Sequence, residues 1–133
     1  MKLFPDACSI FICSNRNKIR GGTRLLINQA LQAKTQLVIS RLSFLECRVL
    51  PLKAKNPELL NCYDRFFRLP ALEVVELDAT VIDIATELRA NHPGSLRTPD
   101  AIQLACAITS GADQFLTGDK KLAAIQEIKV TVV

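Results

Sequence analysis

Four acidic residues stand where a chain of alternating strands and helices can use them. Asp6, Asp100 and Asp119 fall at predicted helix starts, and Asp6 and Asp119 directly follow short apolar runs. Glu46 lies about one turn into the helix that follows another such run. In open parallel sheets, sites form outside the carboxyl ends of the strands. Asp6 and Asp119 occupy such ends, and Glu46 and Asp100 can reach the same rim. Four gathered carboxylates are hard to keep ionised without a cation, and an all-oxygen set suits Mg²⁺ or Mn²⁺ rather than zinc. One or two such ions can generate hydroxide and stabilise the leaving oxygen in phosphodiester cleavage.

Each acid also has a plainer job. Asp6 and Asp119 can be N-caps, Asp100 a first-turn acid facing the helix dipole, and Glu46 the far half of a capping box with Ser43. Glu46 fits that job least well. It sits beside Leu42, Val49 and Leu50 on the apolar side of its helix, where an unpaired carboxylate is costly. Glu58, Asp64, Glu73, Glu76, Asp83, Glu87 and Glu127 read as ordinary surface acids.

Competing chemistries find little support. His92 is the only histidine and lies beside Pro93-Gly94 in a turn, which removes a simple Ser-His or Cys-His scheme. The five cysteines form no Cys-x-x-Cys pair and have no histidine at zinc spacing. Cys8, Cys13, Cys47 and Cys106 lie in apolar surroundings and read as small core residues. Neither a G-x-G-x-x-G nor a G-x-x-x-x-G-K-[ST] pattern is present.

The elements that must position the acids can be read in order. Residues 2–4 start the chain as a short apolar run, and a helix is predicted over residues 6–12. A polar, basic loop (SNRNKIRGG) follows at 14–22, then a helix over 23–34 and a strand over 36–39. The next helix, 40–53, carries Leu42, Leu45, Val49 and Leu52 as a stripe, and Pro51 predicts a kink or an end near Val49. Asn56-Pro57 opens a helix to about residue 69, EVVEL at 73–77 is a strand, and Asp78 caps the helix after it. In RTPDAIQLACAITSGADQFLTGDKK, Thr98 is the predicted N-cap, Pro99 the first helical position and Gly111 the stop. Residues 114–117 form a strand ending at Gly118-Asp119, where another helix starts, and 128–133 form a last β-rich segment. Helices between short apolar strands predict an α/β fold, a three-layer α/β/α sandwich around a mostly parallel sheet.

At 133 residues and 49% hydrophobic composition, the chain is expected to form one domain, 1–133, with a real core. No apolar run approaches the roughly 20 residues that span a bilayer. The start lacks a signal-peptide pattern, so a cytoplasmic location without membrane attachment is expected. The net charge of +4 tolerates anionic partners but does not demand them.

The segment TPDAIQLACAITSGADQFLTGDKKL resembles the C-terminal half of the PIN-domain family, particularly its VapC-like ribonuclease toxins from type II toxin–antitoxin pairs. DACSIFI resembles the family's opening strand–acid–helix unit, and VISRLSFLECRVLPL its second acidic segment. The resemblance spans nearly the whole chain and is weakest over 56–91. It implies a metal-dependent endoribonuclease with Asp6, Glu46, Asp100 and Asp119 around one or two Mg²⁺ or Mn²⁺ ions. It also implies an RNA substrate, a small antitoxin partner over the acidic groove, and a homodimer. Thr117 matches a hydroxyl residue that family members often use near the site, and is equally explained as a strand residue with a satisfied hydroxyl. Two departures stand out. Pro5 replaces an aliphatic residue and removes one sheet donor, and Ala7-Cys8-Ser9 replaces the usual Thr-Asn pair. They motivate the alternative of a PIN-like module that binds protein or RNA without cutting.

Arg16, Lys18, Arg20 and Arg24 lie in or beside the basic loop, and Lys120-Lys121 follow the last acid. They are either RNA phosphate contacts or a solvated face. Aromatics do not interleave with them, so base stacking is not indicated. Phe66 and Phe67, on an amphipathic helix, serve either a partner surface or the core.

Overall fold

The computed structural model describes residues 1–7, 9–10 and 35–133. The predicted loop 14–22, the helix 23–34, residues 8, 11 and 12 of the predicted helix 6–12, and Cys13, Arg16, Lys18, Arg20 and Arg24 lie outside the described residues. Among the described residues, five short strands form one parallel sheet: β1 (Lys2–Pro5), β2 (Gln36–Ser40), β3 (Leu72–Val75), β4 (Gln114–Thr117) and β5 (Val130–Val132). Their spatial order is β3-β2-β1-β4-β5. The chain therefore builds outward from β1 to β3 on one side, then returns to place β4 and β5 on the other. The switch lies between β1 and β4, where an open parallel sheet leaves a crevice at its carboxyl rim.

Helices α1 (Arg41–Lys53), α2 (Pro57–Phe67), α3 (Ala79–Asn91) and α4 (Thr98–Thr109) connect the described strands. Strand alternation divides the core between two faces. Phe4, Val38 and Phe115 pack with Val81, Leu88, Leu104 and Leu122 on one side. Ile39 packs with Ile10, Cys47, Leu59, Tyr63, Phe66 and Phe67 on the other. This is the expected α/β/α layering. Phe66 and Phe67 belong to the core, because the sheet face they cover is apolar and Phe67 stacks on Phe44 with ring centroids 4.1 Å apart.

Local chemistry explains most boundaries. Asn56 caps α2 through Leu59 N–H, and Asp78 caps α3 through Val81 N–H. Gly111 takes φ +73 after the C-cap Ser110, a left-handed stop that side chains disfavour. Cys47 and Cys106 are buried, and burial pushes the Cys106 thiol up to about 12. No helix among the described residues is long and apolar enough to cross a membrane.

Four expectations need correction. First, α1 neither ends nor breaks at Val49 but runs through Pro51 to Lys53. Pro51 stands in the final turn, where little helix remains to be disrupted, and its buried ring packs inward. Second, the stripe of α1 faces outward: Leu45, Val49 and Leu52 are exposed, while Ser43, Cys47 and Pro51 are buried. Third, Thr98 is not the N-cap of α4. Arg97 holds the extended cap conformation without a side-chain cap bond, and the Thr98 hydroxyl accepts from Arg89 Nη1 at 2.8 Å. Fourth, β3 begins at Leu72 and ends at Val75, because its ladder to β2 pairs Leu37 with Leu72 and Ser40 with Val75.

Pro5 is tolerated although β1 is central. Asp6 N–H donates to Leu116 O on the β4 side, so the nitrogen that lacks a hydrogen faces β2. The β1–β2 register is Lys2 with Gln36 and Leu3 with Leu37, whereas the β4 side continues to Pro5 with Leu116. The missing donor thus falls at the rim, where pairing to β2 has already stopped.

Candidate functional site

Parallel strands carry all their carboxyl ends to one rim, and the helices that follow or precede them deliver their N-termini there as well. Asp6 emerges directly from β1. Its Oδ1 accepts from Ser9 N–H at 2.9 Å, and its Oδ2 accepts from the Thr117 hydroxyl at the end of β4. Thr117 is fully buried, and its oxygen also accepts from Asp119 N–H at 3.1 Å. One hydroxyl therefore ties the ends of β1 and β4 together across the switch. The Thr117 hydroxyl is thus satisfied, and the group that satisfies it is Asp6.

Glu46 lies on the side of α1 that faces α4. Its Oε1 accepts from Gln103 Nε2 at 2.8 Å. Asp100 stands in the first turn of α4, and its Oδ2 accepts from Arg97 Nε at 3.3 Å. Asp119 caps a 3₁₀ turn over Lys120–Ala124, where an α-helix start was expected, and its Oδ1 accepts from Lys121 N–H at 2.9 Å. The cap box proposed between Ser43 and Glu46 does not form. Ser40 is the N-cap of α1 and accepts from Ser43 N–H, which puts Glu46 beyond the first turn.

Electrostatics links these acids more tightly than contact does. Burial raises the Asp6 carboxyl above its ordinary value, the Thr117 and Ser9 bonds oppose the shift, and Asp100 adds to it. Burial likewise raises Glu46, against the Gln103 bond, and the charges of Asp100 and Asp6 push it the same way, while Arg97 opposes. Asp6, Glu46 and Asp100 therefore sense one another as like charges. Among the described residues, no three His, Cys, Asp or Glu side chains converge closely enough to enclose a metal ion by themselves.

The sign of the pH dependence follows. A folded carboxyl whose pKa is raised makes a contribution that is fully present below the unfolded value and is lost as pH rises through the folded value. For Glu46 the unfolded reference is 4.5. Glu46→Gln removes the charge and keeps an oxygen acceptor for Gln103. In EDTA at pH 7 this variant should resist urea better than wild type. The gap should close as pH falls below 4.5, measured as the difference in urea midpoint. A gap independent of pH would rule out the charge as its cause.

Several side chains that hold the rim carried no functional signal in the linear chain. Gln103 is only 3% exposed, and Ser40, Ser43 and Ser9 are buried. The one hint for Gln103 is a polar residue on the inward face of an otherwise apolar helix, one turn after Asp100. Arg97, Lys120 and Lys121 are cations next to the acids along the described chain. Arg97 has 81% of its side chain exposed, and Lys120 is exposed in the 3₁₀ turn.

A family model described as PIN domain matches residues 20–128, a span that contains Glu46, Asp100 and Asp119 and begins after Asp6. No curated protein matches the chain. Among solved structures, VapBC2 from Rickettsia felis, bound to a DNA fragment from its promoter, superposes with a TM-score of 0.76 at 20% identity, covering 99% of this chain and 98% of that one. VapC20 from Mycobacterium tuberculosis, a Sarcin-Ricin loop cleaving toxin, gives 0.73 at 17% identity, covering 96% and 98%. A toxin–antitoxin complex from Klebsiella pneumoniae gives 0.68 at 22% identity, covering 99% and 97%. At these identities the likeness is one of fold, and that fold is the parallel sheet described above. With the family model spanning most of the chain, the chain belongs to the PIN domain family.

Proposed function

We propose that this protein is a Mg²⁺- or Mn²⁺-dependent endoribonuclease and the toxin of a toxin–antitoxin pair. The observation that carries the reading is the gathering of carboxylates at the carboxyl rim: buried Asp6 on Thr117 at the β1–β4 switch, and Glu46 on Gln103, one turn from Asp100. Burying like charges together is unfavourable unless a cation joins them. The donors are all oxygen, which fits a hard divalent ion. Mg²⁺ is commonly held by one or two carboxylates and keeps several waters, so it does not require three acids to converge. Asp6, Glu46, Asp100 and Asp119 are the residues that would hold it.

When bound, such an ion supplies positive charge that lowers the pKa of water and offsets charge developing on a phosphodiester. The chain's own groups do the positioning. Ser9 N–H and the Thr117 hydroxyl fix both oxygens of Asp6, and Arg97 steadies Asp100. Lys120, exposed in the turn after Asp119, would meet backbone phosphates in this reading, with Arg16, Lys18 and Arg20 as further phosphate contacts proposed from the sequence. The partners in this reading are an RNA substrate, an antitoxin protein and a second copy of the chain. The structural neighbours support the antitoxin, because the one from Klebsiella pneumoniae is described as a toxin–antitoxin complex. The VapC20 description supports the cutting.

One observation favours the alternative of a module that binds without cutting: among the described residues, no three acids converge by themselves. A single experiment separates the two. Purified protein is incubated with total RNA, with and without Mn²⁺, beside Asp100→Asn. The proposal expects fragments only from wild type with Mn²⁺. Equal cleavage by Asp100→Asn would remove the acidic rim from the reaction.

A further inference from the structure

We infer that Gln103 is a positioning residue for the acidic rim: its amide holds one oxygen of Glu46 and leaves the other free for a divalent cation. The inference rests on the metal-dependent reading above and deepens it. Gln103 is 3% exposed, and its neighbours on α4, Ala101, Leu104, Ala105, Cys106 and Ala107, are all at 0%. An amide in such a place costs more than a leucine of similar size unless every polar atom is paired. Here every one is. Oε1 accepts from the Ser40 hydroxyl at 2.7 Å, and Nε2 donates to the Ser43 hydroxyl at 3.1 Å and to Glu46 Oε1 at 2.8 Å.

The orientation of the amide is not a matter of choice. An ionised carboxylate only accepts, so the nitrogen of Gln103 must face Glu46 and the oxygen must face Ser40. The Ser40 hydroxyl donates to Gln103 and also accepts from Ser43 N–H as the cap of α1. The start of α1, the amide and the carboxylate thus form one chain of bonds. Because Gln103 lies one turn below Asp100 on α4, the helix that supplies one acid also clamps another. The spacing between Glu46 and Asp100 is set by this link rather than left to a rotamer. A neutral amide is suited to the task. Lysine or arginine in the same position would pair with Glu46 and compete with an incoming cation.

The test measures Mn²⁺ affinity by electron paramagnetic resonance on the full chain. It compares wild type, Glu46→Gln, Gln103→Met and the double variant, with thermal midpoints in EDTA. Gln103→Met keeps the volume and removes the donor. It should weaken Mn²⁺ binding by roughly 10–100-fold, the usual effect of losing a group that orients a metal ligand. The double variant should bind no more weakly than Glu46→Gln alone, because the two changes act through one carboxylate. Ser43→Ala, which removes one acceptor of the Gln103 amide while favouring helix, should weaken binding to a smaller extent and guards against misfolding of Gln103→Met. A lowered thermal midpoint with unchanged Mn²⁺ affinity in both Gln103→Met and Ser43→Ala would overturn the inference and leave a purely structural network. Wild type that binds no Mn²⁺ would instead overturn the metal reading, and this inference with it.

Discussion

Asp6→Asn is expected to reduce Mn²⁺-dependent RNA cleavage by more than about 100-fold, since loss of a ligand should exceed the effect of losing a group that merely orients one. The same variant should keep or raise the thermal midpoint at pH 7. Both outcomes follow from the two jobs of this side chain. As a cap, Asp6 accepts Ser9 N–H, and asparagine performs that task about as well as aspartate. As a charge, Asp6 is disfavoured by burial and by Asp100, and asparagine relieves both, which offsets the loss of the carboxylate oxygen that accepts the Thr117 hydroxyl. A residue that only capped its turn would leave cleavage intact after this change. One that only served the fold would lower stability. Cleavage of RNA and thermal unfolding in EDTA, measured on one preparation, separate these cases. Retained cleavage would show that Asp6 is a cap and no more.

Phe115→Ala should act in the opposite sense. Phe115 is fully buried in β4, with its ring 5.6 Å from Phe4 and nearly parallel to it. It lies two residues before Thr117 and within the cluster that joins β1, β2 and α4. Truncating a buried phenylalanine costs about 3–5 kcal/mol, a large share of the roughly 5–15 kcal/mol that holds a domain folded. Urea denaturation should show a much lower midpoint with a similar slope, because the surface exposed on unfolding hardly changes. A shift below about 1 kcal/mol would mean that the two aromatic rings do not form the centre of this core. Together the two variants separate the rim from the layer that supports it.

How these elements were legible differs from one to the next. β4 was read over its full length, since an apolar run closing on Gly118-Asp119 leaves few alternatives. Asn56, Asp78, Asp100 and Gly111 were each placed at a helix end by local hydrogen-bonding and backbone rules, which act over three or four residues. The order of four acids, and their association with strand ends, likewise needed only the linear chain.

Other features depended on neighbours far along the chain. Periodicity on α1 marked Leu42, Leu45, Val49 and Leu52 as a face but could not say which face meets the sheet. The structure turns Ser43 inward onto Gln103 of α4, where the polar groups satisfy one another, and Cys47 into the apolar cluster of Ile39 and Tyr63. Those bonds join residues 57 to 63 positions apart, beyond the reach of any local rule. The Thr117–Asp6 bond spans 111 positions and exists only because β1 and β4 pair in parallel. Types and spacing of the acids, the caps and the strands were therefore determined by the sequence itself, through short-range chemistry. Which acids repel one another, and which neutral side chains hold them, was decided by the tertiary structure, because burial and charge coupling arise only after distant segments meet.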